Sequence, residues 1–293
     1  MIRHNKKGFT LIELVITMTI ASVIAMVTAQ LISRPVTAYA NLSLRAQLVD
    51  SAESSLERMT REIRTALPNS IRIGCSGKCI EFLRTVDGGR YRLSAPGNAL
   101  DFDQSLLDSN GFEVLGSLSN PTSITTSNNP DHCRTGNANC LVIYNTGQAN
   151  HNAYNLDNIA TIKNVSTGTP SVIEFSFSGT QLAFPTSSPA QRFSIVDTPI
   201  SFVCDTVNNT ITRYQGYPIT ADHNDVDAEL AGLNGTNKAL VTDKIDACSF
   251  IYNSGSTNRS GLITINLKLS ETMPSGHTES INLLQQVHVS NTP

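Results

Sequence analysis

Positive charge is sparse in this sequence and is not clustered outside the first seven residues. Lysine and arginine number 21, aspartate and glutamate number 24, and the formal net charge is −3. A protein that holds nucleic acid needs grouped cations, because much of its affinity comes from neutralising phosphates. The sequence therefore argues against nucleic acid as a partner.

Recognisable catalytic motifs are also missing. The chain has no Gly-x-Ser-x-Gly nucleophile elbow, no phosphate-binding P-loop and no His-Glu-x-x-His zinc motif. Its six histidines are scattered, and His132 adjoins a cysteine that we expect to be oxidised. Because no acid, base and nucleophile stand in a known pattern, we predict that the protein is not an enzyme.

What the chain does have is a long apolar run close to its start. Two lysines and Gly8 lead into a mostly apolar stretch from Phe9 to Val27. A helix needs about 20 such residues to cross the hydrocarbon core of a membrane. The exception is Glu13, whose carboxylate costs about 2.5–3.5 kcal/mol inside a membrane segment. A charge at such a place usually marks a function.

This segment resembles the signature of type IV prepilins, which reads here Gly8-Phe9-Thr10-Leu11-Ile12-Glu13. The resemblance implies that a prepilin peptidase cuts between Gly8 and Phe9 and methylates the new amine on Phe9. It also implies that Glu13 meets the N-terminal ammonium of a neighbouring subunit in a filament. Such a pair offsets the cost of burying both charges, so we expect Glu13 to matter for assembly.

Two other interpretations remain at this stage. The segment could be a secretory signal peptide with a cleavage site such as Val27-Thr28-Ala29, or a plain single-span anchor. Both explain the hydrophobicity of the run. Neither explains a glutamate at position 13.

The prepilin resemblance divides the chain into three parts. They are a leader over residues 1–8, a transmembrane and assembly helix over residues 9–34, and a periplasmic head over residues 35–293. We predict a helix from residue 9 to about residue 67, with a kink or a local break at Pro35. The helix should end at Leu67, because the proline that follows disfavours a helical backbone there.

The second half of this helix is predicted to be amphipathic. Its apolar residues recur at spacings of three and four and form one face: Leu48, Ala52, Leu56, Met59, Ile63 and Ala66. Two pairs of opposite charge, Glu57–Arg61 and Arg58–Glu62, are predicted to lie on the wet side. This half should pack on a sheet of its own head.

The remainder reads as β-rich, so we predict an α+β fold with the helix on an antiparallel β-rich head. Glycine and asparagine predict hairpin turns at Asp87-Gly88-Gly89 and at Asn208-Asn209. The segment 95–139 is predicted as an insertion. The candidate strands are Ile71–Ile73, Ile80–Leu83, Tyr91–Leu93, Leu141–Tyr144, Val172–Phe177, Phe193–Val196, Ile200–Cys204, Thr210–Tyr214, Ala247–Tyr252, Leu262–Leu269 and Ile281–Val289.

Six cysteines in an exported chain predict a set of disulfides. Local spacing favours the pairs Cys75–Cys79 and Cys133–Cys140, which leaves Cys204–Cys248. Zinc ligation and free thiols are the alternatives, but these spacings match zinc-ligand patterns poorly.

Several runs are similar to O-type minor pilins of mannose-sensitive haemagglutinin (MSHA) pilus systems. That resemblance implies a low-abundance subunit that starts or caps a filament. Its partners would be other minor and major pilins and the assembly platform of the inner membrane. The chain would cross that membrane once and then enter the pilus or lie at its tip. The similar runs are Leu56–Ser70, Cys79–Phe82, Pro199–Cys204, Thr212–Tyr214 and Gln286–Asn291.

Two alternative functions accompany this prediction. One alternative is a minor pseudopilin similar to the related J type, at the tip of a type II secretion pseudopilus. An adhesin is the other alternative, with the loops at 95–139 and 215–238 as candidate contact sites.

One acidic segment is a weak candidate for calcium, since hard oxygen ligands stand at alternating positions. It lacks the glycine that an EF-hand loop needs at its sixth position. A solvated acidic loop is the simpler interpretation, and no other cofactor or metal is predicted. The candidate ligands are Asp222, Asn224, Asp225, Asp227 and Glu229.

Overall fold

The computed structural model describes residues 8–103, 111–135, 139–179, 181–221, 237–255, 260–273, 276 and 278–293. Its chain packs as two compact units. One contains residues up to Asp50 together with Ser270–Ser280, and the other contains Ser51–Leu269 together with Ile281–Pro293. The boundary predicted between residues 34 and 35 concerns the membrane, so this division does not test it.

The first element is a helix, α1 (Leu11–Ile63), that continues through Pro35. Proline has no N–H to donate to the carbonyl of Leu31 one turn earlier. The hydroxyl of Thr37 donates to the carbonyls of Ser33 (3.1 Å) and Arg34 (3.0 Å) in this turn. The local break considered at Pro35 therefore does not occur.

The helix ends about one turn before the predicted residue, Leu67. The N–H groups of Thr65 and Ala66 bond to carbonyls three residues back, which tightens the last turn. The next N–H, that of Leu67, donates to the carbonyl of Leu83 at 2.7 Å. Pairing with a strand therefore takes over where helical bonding stops, before Pro68 can act.

Two sheets follow in the part of the chain that the structure describes. The larger has nine strands and the smaller has three, in the order β10-β11-β12. A short helix, α2 (His132–Thr135), lies between β3 and β4. The strands are β1 (Arg72–Gly74), β2 (Cys79–Arg90), β3 (Gly111–Glu113), β4 (Cys140–Ile143), β5 (Ile159–Val165), β6 (Val172–Ser176), β7 (Arg192–Asp205), β8 (Thr210–Gln215), β9 (Asn237–Thr242), β10 (Ile245–Asn253), β11 (Gly261–Thr272) and β12 (Thr278–Val289).

Strand β7 is the axis of the larger sheet. One of its edges pairs antiparallel with β2 from Arg192 to Val203. Two strands share its other edge. Strand β4 pairs with residues 193–196 of β7, and β8 pairs with residues 200–205. The sheet therefore divides into one arm that ends in β9 and a second arm made of β4, β5, β6 and β3.

The second arm has its own hydrophobic core. It contains several aromatic rings in contact, and the ring centroids of Phe112 and Phe193 lie 5.3 Å apart. The predicted insertion at 95–139 is therefore part of a larger unit, since this arm also uses strands as far as Ser176. Its buried aromatic residues are Tyr91, Phe112, Phe175, Phe184 and Phe193.

The helical half that belongs to the second unit packs on the sheets through the predicted face. Ala52, Met59 and Ile63 are fully buried and Leu56 nearly so. The hydroxyl of Ser51 lies 3.0 Å from that of Thr242 on β9. The α+β architecture predicted from the sequence, a long helix on an antiparallel β-rich head, is confirmed.

The hairpin turn predicted at Asp87-Gly88-Gly89 is wrong, because these residues lie inside β2. A Cβ at Gly88 would stand 2.9 Å from the carbonyl oxygen of Phe193, and one at Gly89 would stand 3.1 Å from the ring of Phe193. Close approach of β7 therefore requires these glycines. The turn predicted at Asn208-Asn209 does join β7 to β8, with a φ of 56° at Asn209.

Three strands were not predicted from the sequence, namely β3, β5 and β9. Two predicted strands, Phe193–Val196 and Ile200–Cys204, form the single strand β7. The proline between them, Pro199, is tolerated because it lies opposite Leu83, next to a register shift in the ladder. The predicted strand at Tyr91–Leu93 is reduced to a single bridge between Tyr91 and Val114.

Candidate functional site

The peptide bond between Gly8 and Phe9 lies in exposed chain before the first helix. Residues 8–10 are outside α1, and the side chain of Phe9 is 73% exposed. Apart from its chain neighbours, no atom of the described residues lies within 4 Å of the position of a Cβ on Gly8. A bond in this setting is open to a peptidase, whereas the leader residues 1–7 lie outside the described part.

Glu13 lies in the first turn of α1, where its carboxylate faces Thr10. The oxygen Oε2 lies 3.5 Å from the backbone nitrogen of Thr10 and 3.4 Å from its hydroxyl. The carbonyl of Thr10 accepts from the N–H groups of Glu13 (3.1 Å) and Leu14 (3.2 Å). This is half of a capping box, in which the glutamate at the third helical position reaches back to the residue before the helix.

The capping geometry gives Glu13 a second role, that of capping the N-terminus of α1, which was not predicted from the sequence. The Thr-x-x-Glu spacing was a visible signal for it. A negative charge in the first turn also complements the positive end of the helix dipole. Both contacts with Thr10 are longer than a normal hydrogen bond, so the carboxylate is held loosely and stays available to a stronger partner.

The surface of α1 between Glu13 and Val36 is mostly apolar. Its large side chains stay exposed, and none of the residues in its most apolar window is buried. Among the described residues, α1 is the one helix long and apolar enough to cross a membrane. The exposed residues of this stretch, called here the apolar sleeve, include Leu11, Ile12, Val15, Met18, Ile20, Val23, Ile24, Met26, Val27, Leu31, Ile32 and Val36.

Hydroxyl groups within the apolar sleeve bond back to its own backbone. Thr17 donates to the carbonyl of Leu14 at 2.9 Å, and Thr28 donates to that of Ile24 at 2.7 Å. Thr19 and Ser22 make the same kind of bond. A polar group inside lipid must find a partner within the protein, so these bonds make the sleeve compatible with hydrocarbon.

The six cysteines form three disulfides, and their pairs are those that local spacing favours. Cys75–Cys79 closes a short loop before β2, and Cys133–Cys140 closes the loop that contains α2. Cys204–Cys248 joins the end of β7 to β10 and therefore links the two sheets. No cysteine is left with a free thiol.

No group of three or more metal-binding side chains comes together in the ranges that the structure describes. The calcium candidates Asp222, Asn224, Asp225, Asp227 and Glu229 lie outside those ranges.

A buried ionic cluster in the head went unnoticed in the sequence. The Nε of Arg72 donates to Glu81 Oε1 at 3.1 Å, and its guanidinium lies 3.5 Å above the ring of Tyr154. The other oxygen of Glu81 accepts from Tyr217 at 3.0 Å and from Ser201 at 3.3 Å. Because these residues come from five separate segments, no local pattern in the sequence predicts the cluster.

Burial dominates the electrostatics of the two tyrosines in this cluster. It raises the pKa of the Tyr217 hydroxyl well above its ordinary value, and the charge of Glu81 adds to the shift. Burial raises the pKa of Tyr154 in the same direction. Both hydroxyls therefore stay protonated, and Tyr217 acts as a hydrogen-bond donor to Glu81.

Comparison with known proteins identifies the N-terminal segment. Residues 3–29 match a family model described as the prokaryotic N-terminal methylation motif. No curated protein and no solved structure matches the chain. The match includes Gly8, Phe9, Glu13 and most of the apolar sleeve, and it supports a type IV pilin-like or pseudopilin protein.

Proposed function

We propose that this protein is a minor pilin of a type IV pilus, of the MSHA-like kind, that primes or caps the filament. One observation carries the proposal. Helix α1 begins at Leu11, shortly after the accessible Gly8–Phe9 bond; its first half is mostly apolar and exposed, and it carries a loosely held carboxylate, Glu13, in its first turn. A prepilin peptidase would cut that bond and methylate the amine of Phe9.

The apolar sleeve serves two environments in turn. Before assembly it lies in the inner membrane, with the head in the periplasm, because its apolar side chains and self-bonded hydroxyls suit hydrocarbon. During assembly it moves into a bundle of like helices from other pilins, driven by the assembly platform. Such a bundle offers apolar contacts on all sides, which a helix without a polar face can use.

Glu13 changes partner during this transfer. In the single chain its carboxylate makes two long contacts with Thr10, at 3.5 and 3.4 Å. An N-terminal ammonium from a neighbouring subunit forms a shorter, charge-assisted hydrogen bond. The ammonium of the neighbouring subunit therefore displaces Thr10 as the partner of Glu13. The attraction between the two charges offsets the free-energy cost of burying them.

The size of the head favours a minor position in the filament. It contains two sheets and a separately packed second arm, which is bulky beside a single helix. A bulky head is hard to repeat along a tightly packed fibre, whereas the end of a filament accommodates it. The described cavities and buried clusters do not point to a reaction, so we propose a structural role and not an enzymatic one.

The test is a substitution of Glu13. An unpaired ammonium in the bundle costs about 3–5 kcal/mol, so we expect Glu13→Ala to lower the number of surface pili at least about tenfold. Cleavage should persist, because Gly8 and Phe9 are untouched. Mass spectrometry should find a mature chain that begins at methylated Phe9, and electron microscopy should count the pili.

Glu57→Ala is the matched control, since Glu57 is an exposed carboxylate of the same helix with one weak ion pair. Normal pilus numbers in both variants would defeat the proposed mechanism. Normal pili with loss of secreted enzymes in a deletion strain would instead identify a J-like pseudopilin.

A further inference from the structure

A cleft of about 310 Å³ in the head has two arginines at its rim. It lies where the ends of β2 and β4 meet the start of β7. Arg90 and Arg192 are both exposed and both line the cleft. They are the last pair of the β2–β7 ladder, so they stand directly opposite each other.

Two like charges directly opposite on neighbouring strands destabilise a sheet. Other arginines of this head are neutralised, since Arg72, Arg84, Arg92 and Arg213 each pair with a carboxylate. Neither Arg90 nor Arg192 forms an ion pair with any acid in the described ranges. Arg90 and Arg192 thus form a facing pair of cations that no aspartate or glutamate of the described residues neutralises.

Each guanidinium group makes a hydrogen bond with the protein beside the cleft or in its lining. The Nε of Arg90 donates to the carbonyl of Ala190 at 2.9 Å. The Nη1 of Arg192 donates to the hydroxyl of Thr292 at 3.2 Å. Each bond restrains one side of its guanidinium group and leaves further N–H donors for a ligand, since a guanidinium carries five.

The remaining lining suits a small anion with an organic body. Among the described residues that line the cleft, none is aspartate or glutamate. The lining also includes two hydroxyl-bearing residues, Tyr144 and Ser194, and two apolar residues, Leu67 and Val142. The backbone of Tyr144 has a φ of 52°, a strained value for an aromatic residue that often occurs at ligand sites.

We propose that this cleft binds a ligand with a carboxylate, about the size of one sugar ring, such as a uronic acid. The two guanidinium groups bind the carboxylate in the fork geometry that arginine favours. The hydroxyls bind ring hydroxyls, and the apolar walls cover the ring faces. The volume lies at the lower end of the range for small-molecule sites. This binding is separate from the proposed role of α1 in the filament.

The experiment uses the full chain in detergent and D-glucuronate as the probe, followed by saturation-transfer NMR. Glucuronate should bind, and D-glucose, which lacks the carboxylate, should not. Arg90→Gln and Arg192→Gln should each weaken binding at least about tenfold, because hydrogen bonds to charged groups are lost. Binding should also weaken as salt increases, since both arginines are exposed.

Arg134→Gln is the control, because Arg134 is an exposed arginine on α2 that does not line the cleft. It should bind glucuronate as the wild type does. Equal weakening by all three substitutions would show a general charge effect and overturn the proposal, as would equal binding of glucose or of inorganic phosphate.

A second control extends the chain by two residues after Pro293, which also lines the cleft. The extension moves the terminal carboxylate of the expressed chain away from the two arginines. Unchanged affinity supports the proposal. If glucuronate bound only to the extended chain, the two arginines would be shown to bind the terminal carboxylate of Pro293 instead of a ligand. That result would overturn the proposal.

Discussion

Glu81 is the residue on which the buried ionic cluster depends. It is only 3% exposed and accepts hydrogen bonds from Arg72, Ser201 and Tyr217. Arg72 also donates to the carbonyl of Ala221 at 2.8 Å. One carboxylate thus connects β1, β2, β7 and the segment after β8. A buried charge with several donors tolerates burial, whereas the loss of a donor leaves it under-satisfied.

The first prediction concerns the hydroxyl of Tyr217. Tyr217→Phe removes one donor to Glu81, so we expect a loss of about 1.5–3 kcal/mol in the free energy of unfolding at pH 7. The pH dependence also changes. Since the folded pKa of Tyr217 is raised above the unfolded one, its stabilisation is complete below about pH 10 and is lost as pH rises further.

The phenylalanine variant should therefore lose less stability than the wild type between about pH 10 and pH 11. Urea denaturation at a series of pH values measures this difference. Tyr39→Phe is the control, because Tyr39 is 76% exposed, and its profile should follow the wild type. Identical alkaline slopes for all three proteins would contradict the assignment.

Residue patterns in the sequence predicted that Glu13 is functional, but they indicated only one role for it. The prepilin-like signature indicates a partner in another chain, and the structure adds a partner in the same chain, Thr10. In the mechanism that we propose, the two roles follow each other in time, because both use the carboxylate of Glu13. The second role also has a local signal, since the Thr-x-x-Glu spacing is typical of a capping box.

At the scale of the element, the last turn of α1 is anchored by the carboxylate of Glu62, which the sequence predicted to face solvent. Glu62 is only 21% exposed at its side chain, and it lies 3.6 Å from Arg58. Its stronger partner is Arg213 on β8, a 7% exposed residue whose Nε lies 2.5 Å from Glu62 Oε2. The prediction that Arg58–Glu62 lies on the wet side is therefore wrong for Glu62, because β8 covers it.

We expect Glu62→Ala to lower the free energy of unfolding by about 3–5 kcal/mol. The substitution leaves Arg213 as a buried charge without its partner, and that is the expensive outcome for a buried pair. Chemical denaturation of the full chain measures the loss.

Glu57→Ala is the control for this prediction, since Glu57 and Arg61 form an exposed pair at 3.8 Å. It should change stability by less than about 0.5 kcal/mol. The double variant Glu62→Leu and Arg213→Met should recover most of the loss, because an apolar pair can replace a buried ionic one. A loss that persists in the double variant would show that the ion pair is not the cause.

At the scale of the whole molecule, the head consists of two sheets that different links hold together. Cys204–Cys248 joins β7 of the larger sheet to β10 of the smaller one, across a separation of 44 residues. Cys75–Cys79 spans only 4 residues within one region. The entropy model of disulfides predicts that the longer link stabilises more, because it restricts the unfolded chain more.

Replacing Cys204 and Cys248 by serine should lower the free energy of unfolding by about 4 kcal/mol. The same replacement of Cys75 and Cys79 should lower it by about 2 kcal/mol. Urea denaturation without a reductant compares the two variants with the wild type. A greater loss from the shorter link would reverse the expected order and contradict the model for this head.

The sequence by itself determined the features that depend on neighbours along the chain. The apolar run, the glutamate in its first turn, the amphipathic face through Met59 and the turn at Asn209 all follow from local spacing. The three disulfide pairs also agree with local spacing, since two of them close short loops. In each case the interacting residues lie close in sequence or repeat with the period of a helix or a strand.

Only the tertiary structure decided what depends on residues far apart in the chain. It placed Gly88 and Gly89 inside a strand because β7 approaches them, and it ended α1 early because β2 pairs with the residues that follow. It also buried Glu62 under β8 and set Arg90 opposite Arg192. The physical reason is the same throughout: long-range packing and strand register fix burial and close approach, and neither is encoded in the order of neighbouring residues.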